Sequence, residues 1–136
     1  MSEPAGPPAQ VLARILHTAL SGSLVVFAGL CLLLERRRIA VELPSVVAYV
    51  PLILAAVMFA AALIIRGRLL DEPRLDEQGW WRANLSRTLL LWSLFEGPAL
   101  FGAAIYLATG HPLALGATAA GFILLIFNSP ERLREP

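Results

Sequence analysis

The sequence predicts an all-α integral membrane protein in which four transmembrane helices form a bundle. Hydrophobic residues make up 57% of the 136 residues and charged residues 15%, whereas about a quarter of the residues in soluble domains are charged. The apolar residues collect in four runs, at about residues 15–34, 46–65, 87–107 and 111–128. Lipid offers the backbone no hydrogen-bond partners, so each run is predicted to be a helix.

The first two runs have the length of a bilayer crossing, because about 20 residues at 1.5 Å each span about 30 Å. Residues 1–13 contain no basic residue and the first run ends in Glu35-Arg36-Arg37-Arg38, a pattern that favours a mature helix over a cleaved signal peptide. The proline-rich start predicts a disordered lead-in over residues 1–13. The spans then occupy residues 14–130, and residues 131–136 form a polar tail.

From Leu89 to Leu107 the third run is interrupted only by Glu96 and by small or weakly polar residues. The fourth run is the shortest. It has about 15 uncharged residues, from Leu113 to Phe127, and needs Gly110, His111 and Pro112 at its entrance to cross a core of about 30 Å.

Arginine positions predict the orientation, since short cytoplasmic loops carry an excess of basic residues. With a cytoplasmic N-terminus, the inner flanks hold eight arginines and the outer flank holds three. Both termini are therefore predicted to be cytoplasmic. The inner set is Arg14, Arg66, Arg68, Arg74, Arg82, Arg87, Arg132 and Arg134, and the outer set is Arg36, Arg37 and Arg38.

Residues 66–87 form the one long polar segment and are interpreted as a solvated hairpin connection, with a partner-docking surface as the alternative. Trp80 and Trp81 stand beside Arg82 near the entrance of the third run, which Arg87 precedes. Tryptophan and arginine at a span entrance are typical of a membrane-interface anchor.

Small residues predict where helices approach closely, because lipid removes the hydrophobic drive for helices to associate. Alanines recur every seven residues on the second run, which also holds a small-xxx-small pair, as does the fourth run. This pattern does not separate packing within one chain from packing between chains. The predicted helix-packing residues are Ala55, Ala56, Ala60, Ala117 and Gly121.

Glu96 is the candidate functional residue, because it lies near the middle of the third run. An ionised carboxylate there costs about 2.5 to 3.5 kcal/mol on insertion scales, so we expect it to be protonated or partnered. Ser93 lies one turn back and can donate a hydrogen bond, and Gly97 leaves room for a facing backbone. Pro98 has no amide hydrogen, which frees the carbonyl of Leu94. The sequence thus predicts a carboxylate, a hydroxyl and a free carbonyl close together.

The hairpin from about Val46 to Leu107 resembles the proteolipid, subunit c, of rotary ATP synthases. It has a small-residue helix, a polar loop with arginines and a proline, and a leucine-rich helix with a mid-membrane glutamate. Phe101 and Gly102 follow Glu96 at the spacing of that family, although alanines replace the family's dense glycine pattern. The chain also resembles a group of uncharacterised small bacterial four-span proteins that have a similar E-x4-[FY]-G element. The resemblance implies a bacterial inner-membrane protein with Glu96 as a proton- or sodium-binding carboxylate.

A shift of the chain by 73 residues superposes Arg14 on Arg87 and sets Ser23 against Glu96. Few identities mark this shift, and the second and fourth runs do not align well, so it is interpreted as chance rather than duplication.

Other chemistry lacks its required residues. His17 and His111 fall at opposite predicted ends of the membrane, no serine has an accompanying base, and no glycine-rich phosphate loop is present, so we expect no enzyme activity, no metal and no cofactor. We expect no nucleic-acid partner. The expected partners are the lipid bilayer and either further copies of the chain or a larger membrane complex. The predicted function is a structural or accessory membrane subunit that self-associates or packs in a complex. Proton or cation binding at Glu96 is the alternative.

Overall fold

The computed structural model describes residues 8–35, 44–70 and 76–133, which are helical apart from short turns. The elements are α1 (Ala9–Glu35), a 3-10 turn (Ser45–Tyr49) that leads into α2 (Val50–Leu70), α3 (Glu77–Thr109) and α4 (Ala114–Phe127). The all-α prediction is confirmed for this part of the chain. Three helices are long and apolar enough to cross a membrane: α1, α2 with its leading turn, and α3.

α4 is shorter than a bilayer crossing. Its 14 residues span about 21 Å at the helical rise, against a hydrocarbon core of about 30 Å. Gly110 adopts the left-handed conformation with φ of 66° and ends α3, and residues 111–113 form a turn that leads into α4. A helix of this length fits beside α3 as a packed hairpin arm.

α3 is the central element, since it packs against α1, α2 and α4. The contacts of α1 show its direction: His17 lies against Trp92, and Ser23 lies against Glu96 further along both helices. Residue numbers rise together along the two helices, so α1 and α3 are parallel.

α4 runs antiparallel to α3 along a seam of small residues. A Cβ atom built on Gly102 would lie 2.6 Å from the carbonyl oxygen of Ala114, and one on Gly121 would lie 2.5 Å from the carbonyl oxygen of Phe95. Distances this short show backbones in direct contact, which requires glycine at both positions. The Thr118 hydroxyl ties the seam together by donating to the carbonyl of Ala99 at 2.8 Å.

α2 turns one face of small residues toward the bundle. Ala48, Ala55, Ala62 and Leu69 recur every seven residues and are all buried. The small-xxx-small pair of Ala56 and Ala60 lies on the exposed side instead. The heptad spacing therefore marks the face of α2 that packs within the chain.

The helical region extends further toward the N-terminus than the predicted lead-in allows. α1 begins at Ala9, so the end of the predicted lead-in is helical, and the amides of Val11 and Leu12 bond to the carbonyl of Pro8. Proline is compatible with a helix start because the first amides have no partner within the helix. Residues 1–7 lie outside the described part of the chain.

The predicted polar tail begins with an ordered turn. Residues 131–133 form this turn, Leu133 is buried in the core, and Glu131 lies 3.9 Å from Arg14. The start of α1 and the end of α4 therefore lie at the same end of the bundle. Residues 134–136 lie outside the described residues, as do Arg36–Arg38.

The predicted hairpin connection over residues 66–87 is mostly helix. α2 continues to Leu70 and α3 begins at Glu77, which leaves Asp76 and the undescribed residues 71–75, including Arg74, between the helices. Charged residues permit helix as well as loop, and the low hydropathy of this segment hid the helical extension.

The tryptophan pair next to this connection is buried in the bundle. Trp80 is 9% exposed and Trp81 is 1% exposed, and their rings meet edge to face at 4.9 Å between centroids. Arg82 and Arg87 are exposed on the same helix. The two indoles therefore pack against the other helices, which differs from the predicted interface anchor.

Candidate functional site

Glu96 is held by a hydroxyl from another helix. Oε1 of Glu96 lies 2.6 Å from Oγ of Ser23, which in turn lies 2.8 Å from the carbonyl oxygen of Leu20. Ser23 follows Ala9 by 14 residues and precedes Glu35 by 12, which places it roughly 21 Å and 18 Å from the two ends of α1. Ser23 therefore lies midway along α1.

This geometry accommodates both protonation states of the carboxyl group. When Glu96 is ionised, the Ser23 hydroxyl donates its one proton to Oε1. When Glu96 is protonated, its O–H can donate to Ser23, and the Ser23 hydroxyl can then donate to the carbonyl of Leu20. Each arrangement places a donor opposite an acceptor, so the carboxyl group keeps a partner in either state.

The accessory groups predicted beside Glu96 lie in different directions. Ser93 and Gly97 are exposed, and Leu94 is half-buried. Ser93 is therefore on the outer surface of the bundle, whereas Glu96 turns toward α1. Among the described residues, Glu96 accepts a hydrogen bond from Ser23 of α1 and none from Ser93.

The motif residues around Glu96 are divided between the two sides of α3. Pro98 is buried, Phe101 is 36% exposed, and Gly102 is buried at the seam with α4. A Cβ atom at Gly102 would also lie 2.9 Å from Oγ1 of Thr118. Gly102 therefore serves the packing of α4 within this chain.

An exposed strip runs along α3 beside Glu96. The strip consists of Ser86, Leu90, Ser93, Gly97 and Phe101, which are all exposed and are spaced by three or four residues, so they share one face of the helix. Its centre is made of small side chains. We refer to these five residues as the outer strip.

The outer strip lies between the contacts that α3 makes with α1 and with α2. On one side Glu96 reaches Ser23 of α1. On the other side, a Cβ atom built on Gly97 would lie 3.8 Å from Cε of Met58 on α2. The strip is therefore an exposed region of α3 between α1 and α2, and we refer to this region as the groove.

The carboxyl group of Glu96 lies at the edge of this groove. The side chain is half-buried, and Ser23 is exposed.

Comparison with protein-family models, with curated proteins and with solved structures found no match to this chain. The functional argument therefore depends on the chemistry of the groove and of the carboxyl group.

Ser23 is the site residue that the interpretation of the sequence missed. The 73 residues between Ser23 and Glu96 equal the shift noted in the sequence, whereas the ring contact of His17 with Trp92 joins residues 75 apart. The shift therefore does not predict the contact, which depends on how α1 packs against α3.

His17 forms a second link from α1 to the other helices. Its Nε2 lies 3.0 Å from the carbonyl oxygen of Leu125, so this nitrogen carries the proton and donates. The His17 ring packs edge to face on Trp92, with centroids 4.9 Å apart. Trp92 donates from Nε1 to the carbonyl of Asn128 at 2.7 Å. These bonds join three helices one turn away from Glu96.

Metal-binding geometry is not found among residues 8–35, 44–70 and 76–133, where no three His, Cys, Asp or Glu side chains converge. His111 lies in the connection between α3 and α4, at the other end of the bundle from His17. Cys31 is buried on α1 as a free thiol.

Proposed function

We propose that this protein is a four-helix membrane subunit that self-associates through the outer strip and Glu96. The observation that carries the proposal is a half-buried carboxyl group beside an exposed groove, midway along the membrane-spanning helices. A polar group at that depth is costly against lipid and favourable against another polar group. The face that holds Glu96 therefore favours a protein neighbour.

A second copy of the chain is the occupant that suits this groove best. A protonated carboxyl group is both a donor and an acceptor, so two copies of Glu96 that meet across a twofold axis complete each other's hydrogen bonds. Ser93 and Gly97 at the floor of the groove allow the two backbones to approach closely, as small residues do in other membrane helix pairs. The exposed alanines of α2, Ala56 and Ala60, offer a further close-approach surface.

Gly97→Leu tests the interface. A Cβ atom at this position meets only the end of Met58, at an ordinary 3.8 Å, so the variant is expected to fold. The added side chain fills the groove, and we expect the dissociation constant of the oligomer to rise at least about tenfold, which corresponds to about 1.4 kcal/mol. Native mass measurement after gentle solubilisation, over a dilution series, gives the populations.

Gly29→Leu is the matched control, because a Cβ atom there has nothing within 4 Å among the described residues and lies about 120° around α1 from Ser23. It should associate like the wild type. A wild-type protein that is monomeric at every concentration would refute self-association. Equal behaviour of the two variants would remove the outer strip from the interface.

Proton or cation binding at Glu96 is the second candidate function. It is favoured by the Ser23 hydroxyl at 2.6 Å, which serves either protonation state of the carboxyl group. The resemblance to the rotary proteolipid supports the same residue. This function and self-association are compatible, since the carboxyl groups of a ring or dimer would lie at the interface between copies.

We also propose that the end of the bundle holding Arg14 and Arg87 faces the bacterial cytoplasm. Arginines favour the cytoplasmic side, and these two lie at the same end, because α1 and α3 are parallel. Both chain termini then lie inside, as does the connection between α2 and α3.

Cysteine labelling checks this orientation. In a Cys31→Ser background, we expect a cysteine at Thr109 to react with an impermeant reagent added to intact cells and a cysteine at Gln78 to stay unlabelled. Gln78 is exposed near the start of α3 and Thr109 ends it. Permeabilised cells should label both positions, which provides the control. Labelling of Gln78 in intact cells would reverse the orientation.

A further inference from the structure

A group of buried polar atoms lies at the end of the bundle that holds Arg14 and Glu131. The atoms are Nε1 of Trp81, Nδ2 of Asn84, Oγ1 of Thr88 and Oδ1 of Asn128, and none of them has a hydrogen-bond partner among the described residues. The four side chains are almost fully buried, with exposures between 0% and 3%. We refer to these four residues as the polar cluster.

Three of the residues share a face of α3. Asn84 and Thr88 are four residues apart, and Trp81 precedes Asn84 by three, so their side chains stand one above another. Asn128 lies at the end of α4, and its carbonyl accepts the indole proton of Trp92, one turn beyond Thr88. The cluster therefore combines two N–H donors, a hydroxyl and an amide oxygen.

No described protein group forms a hydrogen bond with these four atoms, although other hydroxyls in the bundle do find partners. The hydroxyls of Thr109 and Ser23 donate to carbonyls of their own helices. The hydroxyl of Thr118, on α4, donates to the carbonyl of Ala99 on α3. Thr88 does neither. Buried polar atoms are seldom left without partners, and bound water is their usual partner when the protein supplies none. Neighbours four residues apart rise about 6 Å, a gap that one water molecule with two hydrogen bonds can bridge.

We propose that ordered water molecules occupy the polar cluster and connect it to the aqueous phase at Arg87. The exposed Arg87 donates from Nη1 to Oδ1 of Asn84 at 3.3 Å, which joins the cluster to the surface of the bundle. The inference concerns the interior of one chain and does not depend on self-association.

The His17–Trp92 pair closes the hydrated region on its inner side. Trp92 follows Thr88 by four residues and precedes Glu96 by four, so its indole lies between the cluster and the carboxyl group along α3. Its N–H and that of His17 are both bonded to carbonyls at the end of α4. Water from this end therefore stops one turn short of Glu96.

Nuclear magnetic resonance of the tryptophan indoles tests the proposal, because the chain has three tryptophans. In micelles, the Trp81 indole proton should show a cross-peak to water and exchange rapidly, while the Trp92 indole proton, bonded to Asn128, should show neither. Trp81→Phe and Trp92→Phe assign the signals. A dry, slowly exchanging Trp81 would refute the hydrated cluster, and a water cross-peak at Trp92 would refute the closure.

Thr88→Val gives a second readout. Thr118→Val is its matched control, because Thr118 is also buried but its hydroxyl donates to a protein carbonyl. Loss of the Thr88 hydroxyl should remove the water cross-peak of Trp81 and lower the melting temperature, since the water chain is broken. Thr118→Val should keep the cross-peak. If Thr88→Val raises the melting temperature, the hydroxyl was buried without water and the proposal is wrong.

Discussion

Gly121→Leu is expected to unfold the α3–α4 hairpin. A Cβ atom at this position would lie 2.5 Å from the carbonyl oxygen of Phe95 and 2.7 Å from Cβ of Ala99. Neither atom belongs to a flexible side chain, so the helices must separate. Overpacking of this kind costs typically about 1–3 kcal/mol. The alanine variant should lose that much and the leucine variant more, as measured by thermal unfolding in detergent with circular dichroism and tryptophan fluorescence.

Gly67→Ala is the control for this substitution. Gly67 is exposed near the end of α2, and a Cβ atom there has nothing within 4 Å among the described residues. Alanine in a helix interior is favoured over glycine by up to about 1 kcal/mol, so the control should be neutral or stabilising. A Gly121→Leu variant with unchanged unfolding would mean that α4 does not pack on α3 at this seam.

Glu96→Leu is expected to weaken self-association about 30- to 700-fold, whereas Glu96→Gln should retain it. Leucine removes all hydrogen bonding at the centre of the interface, while glutamine keeps a neutral donor and acceptor. Hydrogen bonds between membrane helices are worth about 1–2 kcal/mol in model peptides, and a twofold interface contains the contact twice. The dissociation constants come from native mass measurement over a dilution series.

A carbodiimide separates the two candidate functions at the same residue. We expect it to modify Glu96 selectively in the wild type, because the other carboxylate side chains of the described residues lie near the ends of the helices. Protection by sodium would support cation binding, and Glu96→Gln would then retain assembly and lose the ion-dependent behaviour. If the Leu and Gln variants both keep assembly and every cation-linked property, Glu96 has neither role.

Ser23→Ala refines this prediction through a double-mutant cycle with Glu96→Gln. The two groups are 2.6 Å apart, so the effects of the two substitutions should not add. Additive effects would show that the contact between Ser23 and Glu96 does not contribute to association.

The sequence carried enough information to predict helices and to single out Glu96. Long uncharged runs leave the backbone no alternative to a helix in lipid, and a lone carboxylate within such a run stands out by composition. The boundaries were predicted less well. α3 begins ten residues before residue 87, because charged residues that end a hydrophobic run do not end a helix.

The partner of Glu96 could not be predicted from residues close to it in sequence. Ser93 is near in the chain, yet it points outward, and Ser23 reaches the carboxyl group from a parallel helix. Local spacing describes one helix, whereas the contact depends on the register and rotation of two. Similarly, Ala55 is buried and Ala56 is exposed on the same helix, a difference that depends on how α2 is rotated toward α3.

The sequence by itself determined that this chain is helical, apolar enough for a membrane and marked by one central carboxylate. The tertiary structure decided which faces of the helices look inward. In a soluble protein the polar side of a helix reveals its orientation, but lipid and the bundle interior are both apolar. Trp81 in the core and Leu90 on the surface are thus equally compatible with composition. Close packing of small residues and hydrogen bonds between helices fix the orientation, and both depend on residues far apart in the chain.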